Sequence, residues 1–160
     1  MLKPFWLSAD NLIFFNQVAV GLTGEPHVIR DYHGVCSIAE RPQQLWYYGT
    51  QDLFDLAALY IDGCDRRQAF LNGNKRTGFM AATAFIEGNG YRFLAPDQRV
   101  QAGVLLEFAN GRATRSDVAD WLRKQSTPLR RRFTPKIYRK SGIQKTKIGR
   151  WSFGPRGSRF

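Results

Sequence analysis

The sequence is short of the residues that mark several large protein classes. It holds only two cysteines, Cys36 and Cys64, in 160 residues, which are too few for a disulfide-stapled scaffold and fit a reducing compartment. No run approaches the roughly 18 to 20 apolar residues that cross a bilayer. The first seven residues give way at once to polar ones, unlike a signal peptide. These absences predict a soluble, cytoplasmic protein without membrane contact.

Acidic residues are missing from one end of the chain. The sequence carries 24 basic and 13 acidic side chains, a formal charge of +11, and its last acid is Asp120. Residues 1–126 hold 13 basic and all 13 acidic residues, so the other 11 basic residues fall in 127–160. A neutral body of that length can bury a single core. The pattern predicts a folded domain over 1–126 and a basic extension over 127–160.

Apolar spacing predicts an all-α body with one small β element. Residues 25–49 contain two prolines and two glycines and are predicted to be irregular, with strand-like aromatic residues at 45–48. Tyr91 to Ala95 is predicted to be a short extended connection. Helices are predicted from Ser8 to about residue 22, from Thr50-Gln51-Asp52 to near Gly63, from Asn74 to about Glu87, from Pro96-Asp97 to Asn110, and from Ser116-Asp117 to Lys124.

The segment 68–78, QAFLNGNKRTG, has the physical character of an anion site. Asn72, Gly73 and Asn74 lead into a helix N-terminus, where unpaired N–H groups and the helix dipole favour phosphate. Gly73 lets the backbone approach a ligand closely. Lys75 and Arg76 add cations where the dipole disfavours them; Arg76 can bind a phosphate bidentately, and Lys75 acts as a point charge. The alternative is an ordinary polar loop with a solvated helix start.

The run from Phe70 to Thr77, FLNGNKRT, resembles the core motif of the Fic/Doc family, especially its Doc (death-on-curing) branch. That motif reads His-x-Phe-x-(Asp/Glu)-(Gly/Ala)-Asn-(Gly/Lys)-Arg. The resemblance extends over roughly residues 8–125 and leaves out the basic extension. It implies a compact helical bundle with a small β-hairpin flap that binds ATP, or another nucleoside triphosphate, with Mg²⁺. Fic members transfer AMP to a protein hydroxyl, and Doc transfers the terminal phosphate to a translation elongation factor.

The resemblance also implies partners and residue roles. A Doc-like toxin has a separate small antitoxin and a target in the translation machinery. Phe70 would anchor the loop in the core, Asn74 would orient the phosphates, Arg76 would grip one of them, and the N–H groups of 72–74 would line the anion site. Lys75 stands where most Fic members have glycine, which favours transfer of phosphate over AMP.

The aromatic pair Trp46 and Tyr47 falls where the family's flap would lie. The edge of such a flap can dock an extended target peptide through backbone hydrogen bonds. Ordinary packing explains these two aromatic side chains equally well.

Two departures from the motif bear on catalysis. Gln68 stands at the position of the motif histidine, the general base on the target hydroxyl, and Asn72 stands at that of the acid that holds magnesium. Glutamine can hydrogen-bond a hydroxyl but does not take its proton, and a general base is typically worth about 10²–10⁴-fold in rate. A neutral amide such as that of Asn72 is a poor Mg²⁺ ligand. The departures predict a weakened enzyme, a changed reaction, or a silent nucleotide- or protein-binding module.

No other residue stands out as a replacement base. His27 and His33 lie upstream in the region predicted to be irregular, where a histidine is usually incidental. Asp62 and Asp65 precede the loop and are expected to pair with the arginines at 66 and 67 or to face water. Glu87 completes a match to a self-inhibitory Fic segment at 83–88, but it lies about four helical turns from the anion site and is expected to be exposed.

The basic extension over 127–160 interleaves its charges with aromatic residues. Such a pattern can grip phosphates and stack bases, which would suit RNA or single-stranded DNA. The alternative is a disordered basic segment whose charge attracts nucleic acid without specificity. A third functional hypothesis, nucleic-acid binding, therefore stands beside the toxin enzyme and the silent binding module.

Overall fold

The computed structural model of the chain describes residues 3–129, which form six helices and one antiparallel pair of short strands. The predicted all-α bundle with a small β element is confirmed. The strands pair Tyr91 with Pro128 and Phe93 with Ser126. In chain order the elements are α1 Ala9–Gly21, α2 Tyr32–Tyr47, α3 Leu53–Arg67, α4 Asn74–Gly88, β1 Tyr91–Phe93, α5 Gln98–Ala109, α6 Arg115–Lys124 and β2 Ser126–Pro128.

Helix α2 corrects the prediction of an irregular stretch over 25–49. Asp31 caps the helix, and its side chain accepts from the Gly34 N–H at 2.9 Å. The buried residues of α2 include Val35, Ile38 and Pro42, at the spacing of one helical face. Pro42 within the helix removes one backbone donor, and this proline made the segment resemble a loop. The strand-like interpretation of 45–48 is also wrong, because residues 45–47 form the last turn of α2.

Two other helix boundaries differ from the prediction. Helix α3 continues through Gly63 to Arg67. Gly63 does not end the helix; it lets α3 lie close to Ile38 of α2, where a Cβ would meet that side chain at 3.2 Å. Helix α6 is capped by Thr114, not Ser116: the Thr114 side chain accepts from the Asp117 N–H, and Asp117 accepts in return from the Thr114 N–H. This reciprocal capping box satisfies two otherwise unpaired donors.

Helices α3 and α4 form the centre of the core. The α4 residues from Thr77 to Ile86 are all buried, and α3 is buried from Leu56 to Cys64. Burial raises the pKa of the Cys64 thiol to about 12, so this cysteine is not a nucleophile at neutral pH. The two helices meet closely at Gly78, where a Cβ would lie 3.0 Å from both the Cys64 Cβ and the Ile61 Cα.

Replacing Gly78 with alanine should destabilise the protein by about 1–3 kcal/mol, because the added methyl overpacks the α3–α4 contact. Gly103 provides a matched control, since it also lies within a helix but has no atom within 4 Å of the place where a Cβ would lie. Gly103→Ala should stabilise the protein by up to about 1 kcal/mol. Urea unfolding measures both changes, and a Gly78→Ala variant as stable as the original chain would contradict this packing.

The far end of α4 corrects the expectation for Glu87. This residue is half-buried, and its carboxylate accepts from the Phe93 N–H of β1 at 3.2 Å. Desolvation raises the pKa of Glu87 above its usual range, against the opposing effects of the Phe93 N–H and Arg92. Glu87 therefore links α4 to the sheet, and α4 holds it about 20 Å from the helix start near Asn74.

Strand β2 and residue 129 complete the described part of the chain. Leu129 N–H donates to the Gly90 carbonyl at 2.8 Å, so the backbone beyond α6 returns along β1. Among residues 3–129, none of the helices is both long and apolar enough to cross a membrane. The hypothesis of nucleic-acid binding concerns residues 127–160, which lie mostly outside the described residues.

Candidate anion site at the start of helix α4

A six-residue loop connects α3 to α4 and forms the floor of the site. It begins at Gln68, which closes α3 in a left-handed conformation with φ 50°, the one positive φ outside glycine in the described residues. The Gln68 side chain donates to the Asp65 carbonyl at 2.8 Å. This bond turns the amide toward the end of α3, at the rim of the site.

Phe70 and Asn74 fix the shape of the loop. Phe70 is fully buried. The Asn74 side chain spans the Phe70 backbone: its Oδ1 accepts from the Phe70 N–H at 3.0 Å, and its Nδ2 donates to the Phe70 carbonyl at 2.8 Å. Because both ends of this amide are occupied by the loop, what Asn74 offers a ligand is its backbone N–H.

Helix α4 begins without a side-chain cap. Its N-cap is Gly73, in a left-handed conformation with φ 76°. No acceptor among the described residues pairs with the backbone N–H groups of Gly73, Asn74, Lys75 or Arg76. A Cβ at Gly73 would lie 2.9 Å from Val20 Cγ1, so both backbone conformation and space require glycine. Unpaired N–H groups and the helix dipole make this end attractive to an anion.

The loop and the first turn of α4 line an open cavity of about 320 Å³, formed by Gln68, Leu71, Asn72, Gly73, Asn74, Lys75 and Arg76. Ligand sites usually start at about 300 Å³. The structure therefore brings together every sequence-predicted catalytic and phosphate-binding residue, with Phe70 beneath them.

The two cations of the site have different surroundings. Lys75 Nζ lies 3.5 Å from Asp65 and is about half exposed. The Arg76 guanidinium donates to the Ala19 carbonyl at 2.7 Å and to Thr23 Oγ1 at 2.8 Å, and it also pairs with the Glu25 carboxylate. The hydrogen bonds from Thr23 and Arg76 lower the pKa of Glu25 below its usual range, so Glu25 is ionised at neutral pH. A phosphate that reaches Arg76 must compete with this carboxylate.

Both aspartates before the loop are paired, and only Asp62 has the expected arginine partner. Asp62 is buried and pairs with Arg66. Asp65 pairs with Lys75 instead of a neighbouring arginine. Neither side chain lines the cavity, so neither is placed to replace the missing base.

The structure separates Trp46 and Tyr47 from this site. The Trp46 ring stacks edge-on against Trp6 at 6.1 Å, and Trp6 in turn stacks on Phe85 near the far end of α4. Phe85 is eleven residues beyond Asn74, about 16 Å along the helix axis. Tyr47 lies under the Lys3 ammonium at 5.8 Å. The prediction that Trp46 and Tyr47 lie in a β-hairpin flap is therefore wrong, since both belong to the last turn of α2. Packing accounts for Trp46, whereas the Tyr47 side chain is mostly exposed.

The segment that does lie along the loop is 26–31. Ile29 forms an antiparallel bridge with Phe70. Leu71 N–H donates to the Val28 carbonyl at 2.9 Å, and Arg30 N–H donates to the Ala69 carbonyl at 2.8 Å. This segment also carries His27, whose Nδ1 lies 2.7 Å from Asn16 Oδ1.

Sequence reasoning missed Asn16, Thr23 and Glu25, and it treated His27 as incidental. Asn16, Thr23 and Glu25 lie 51 to 61 positions before the residues of the loop and of α4 with which they interact, and nothing local marks them. One signal was present: Asn16 is a polar residue within the apolar face of α1, and it is fully buried. Buried polar side chains are nearly always hydrogen-bonded, so an asparagine at position 16 indicated hydrogen-bond partners elsewhere in the chain.

The site suits an anion better than a bare metal ion. No group of three or more histidine, cysteine or acidic side chains in the described residues could hold a metal. The side chain of Asn72 offers one amide oxygen, and its nitrogen makes only a long contact of 3.5 Å to the Pro26 carbonyl. Magnesium prefers carboxylate and phosphate oxygens, and the side chains that line this cavity supply neither.

Comparisons with known proteins agree on one family. The model of the Fic/DOC family matches residues 6–91. The chain is 33% identical over 78 residues to protein kinase doc of Escherichia phage P1, covering 49% of this chain and 60% of that protein. It is 33% identical over 93 residues to toxin Doc of Mycolicibacterium smegmatis, covering 56% of this chain and 68% of that protein. The residues that the family model matches contain the loop and the first turn of α4.

Proposed function

Because this chain belongs to the Fic/Doc family, we propose that it is a Doc-like toxin that transfers a phosphoryl group from ATP to a hydroxyl of a translation-related protein. The observation that carries the proposal is the uncapped start of α4. Four unpaired N–H groups, Lys75 and Arg76 converge there on one cavity. Lysine rather than glycine at position 75 favours phosphoryl transfer over transfer of a nucleotidyl group.

The residues of the site divide the work of such a transfer. The N–H groups of Gly73 and Asn74 would bind phosphate oxygens, and Lys75 would neutralise phosphate charge. Arg76 would exchange its ion pair with Glu25 for a hydrogen-bonded pair with a phosphate. Magnesium bound to the triphosphate would supply further neutralisation of negative charge, with Asn72 beside it. These interactions position and stabilise the phosphates, which accounts for most of the catalysis in phosphoryl transfer.

The proton of the target hydroxyl is the weak point of the site. As the hydroxyl oxygen bonds to the γ-phosphorus, the bond from that phosphorus to the bridging oxygen breaks and ADP leaves. Gln68 can accept a hydrogen bond from the hydroxyl and orient it, but its amide does not keep the proton, which passes to water. We therefore expect a slow enzyme.

A target peptide has a place to bind beside the loop. In the bridge between Ile29 and Phe70, the neighbouring residues Val28 and Arg30 make the hydrogen bonds to the loop. The N–H and C=O groups of Ile29 itself therefore face the other way. They offer an edge to which an extended target segment can add. An antitoxin chain that covers this edge or the cavity would block both substrates.

A second candidate function is a silent Fic-fold module that binds a nucleotide or a protein without transferring a group. Gln68 and Asn72 favour it, because both positions lack the proton acceptor and the carboxylate that the family motif supplies. The two candidates share the anion site and differ in whether a product forms.

Labelled ATP distinguishes the two candidates. The chain is incubated with extracts of ribosomes and translation factors and with ATP labelled on the γ- or the α-phosphate. We expect γ-label on one protein, little α-label, and growth arrest when the chain is expressed. Arg76→Ala should reduce both effects, whereas Arg41→Ala, which removes an exposed cation of α2 outside the cavity, should not. Binding of ATP without label transfer would favour the silent module.

A further inference from the structure

A buried asparagine and a partly buried histidine, Asn16 and His27, lie beneath the loop 68–73, here called the anion loop, and neither lines the cavity. Asn16 of α1 is fully buried, and its Nδ2 donates to the Asn72 carbonyl at 2.8 Å and to Thr77 Oγ1 at 3.0 Å. Its Oδ1 lies 2.7 Å from His27 Nδ1. Both donors and the acceptor of this one side-chain amide are therefore occupied.

The partners fix which atom of Asn16 faces which neighbour. The Asn72 carbonyl can only accept, so the Asn16 atom facing it must be the amide nitrogen. The amide oxygen then faces His27 and can only accept, so His27 Nδ1 carries a hydrogen and donates it. Thr77 Oγ1 donates to the Gly73 carbonyl at 2.9 Å and so accepts from Asn16. Every hydrogen bond in this network therefore has a defined donor and a defined acceptor.

This network sets the direction of the ligand-binding N–H groups. In a trans peptide, the C=O of one residue and the N–H of the next point in opposite directions. Asn16 holds the Asn72 carbonyl down toward α1, so the Gly73 N–H points up into the cavity. The N–H and hydroxyl of Thr77 hold the Gly73 carbonyl at 2.8 and 2.9 Å, so the Asn74 N–H points out of the helix start.

We propose that Asn16, supported by His27, is the positioning residue of the phosphate-binding loop. This inference rests on the proposed function in that the ligand is a polyphosphate. Asn16 touches no ligand; it acts by holding the Asn72–Gly73 peptide in the orientation that binds one. His27 ties the same amide to segment 26–31, so the anion loop and the neighbouring peptide edge are held by one set of hydrogen bonds.

Affinity for tripolyphosphate, measured by calorimetry on the full chain, tests this role. Asn16→Leu keeps the number and branching of the side-chain heavy atoms and removes all three hydrogen bonds. It should weaken binding about tenfold or more, because misdirected loop amides lose charge-assisted bonds. His27→Leu should weaken binding several-fold. His27→Gln should restore it to within about twofold, since a glutamine amide can again donate to Asn16. Gln17→Leu alters the exposed neighbour of Asn16 on α1 and should leave the affinity for tripolyphosphate unchanged.

A structural defect alone would not follow this pattern, because rescue by His27→Gln depends on a donor and not on volume. The amide resonance of Gly73 should also move in Asn16→Leu and His27→Leu and return in His27→Gln. If Asn16→Leu does not fold, the variants His27→Leu and His27→Gln test the role of Asn16 instead. An unchanged affinity of His27→Leu for tripolyphosphate would then overturn the positioning role. An original chain that binds no tripolyphosphate would contradict the proposed function itself, whereas one that binds it with all variants unchanged would contradict the positioning role alone.

Discussion

Replacing Gln68 with histidine should raise the rate of phosphoryl transfer by about 10²–10⁴-fold, the usual contribution of a general base. Gln68 lines the cavity, and its amide does not keep the proton of the target hydroxyl. Its left-handed backbone conformation is one that histidine tolerates better than most residues. Steady-state kinetics with γ-labelled ATP measure the change, which should appear in kcat with little effect on KM for ATP.

Two further variants sharpen this prediction. Gln68→Asn keeps an amide and adds no base, so its rate should stay at or below that of the original chain. Adding Asn72→Asp to Gln68→His should raise the rate again and lower the Mg²⁺ concentration required, because a carboxylate would bind Mg²⁺ more strongly than the amide that it replaces. If Gln68→His leaves kcat unchanged, the slow step is not proton removal at this position.

Arg76 and Glu25 should act on ATP affinity in opposite directions. Arg76→Ala removes charge-assisted hydrogen bonds to phosphate, which are worth roughly 1.5–3 kcal/mol, so ATP should bind about ten- to a hundredfold more weakly. Glu25→Gln removes the carboxylate that now pairs with Arg76, so ATP should bind several-fold more tightly. Calorimetric titration with ATP measures both affinities.

A matched control for Glu25→Gln removes one negative charge at a position away from the cavity. Glu40 is an exposed acid of α2 that does not line the cavity. Glu40→Gln should leave ATP affinity within about twofold, since exposed charges are screened beyond a Debye length of roughly 10 Å. An equal increase in ATP affinity in Glu25→Gln and Glu40→Gln would show a general charge effect. It would contradict competition between Glu25 and phosphate for Arg76.

The parts of the site that lie together in the sequence were predictable from it. Gln68, Gly73 and Arg76 fall within nine positions, and a glycine before a cationic helix start is a local signal for an anion. The structure places them around one cavity. Local chemistry was sufficient here, because the helix N-terminus itself supplies most of the binding groups.

The contacts that shape the loop from outside were not predictable. The pairing of Arg76 with Glu25 spans 51 positions, and that of Asn16 with the Asn72 carbonyl spans 56. Such contacts depend on how α1 packs against α4, which no local pattern encodes. Helix α2 was missed for a different reason: Pro42 outweighed the helical spacing of Val35 and Ile38, although a proline within a helix can be tolerated where packing compensates.

The charge of the chain also has a clearer meaning. The neutral body contains the whole anion site, and each of its two cations has an acidic partner, Asp65 for Lys75 and Glu25 for Arg76. In the proposed function, attraction of a polyphosphate to this site would therefore depend on the directed N–H groups of the loop as well as on the positive side chains. The excess charge of +11 lies in 127–160, outside the residues that line the cavity.

The most direct test of the central claim is a titration of the isotope-labelled chain with Mg·ATP, followed by amide resonances. If the start of α4 is the triphosphate site, the largest shifts will fall on residues 72–76, with those of Gly73 and Asn74 foremost. Absence of shifts at millimolar ATP, or shifts centred elsewhere, for example around Trp46 and Tyr47, would contradict it.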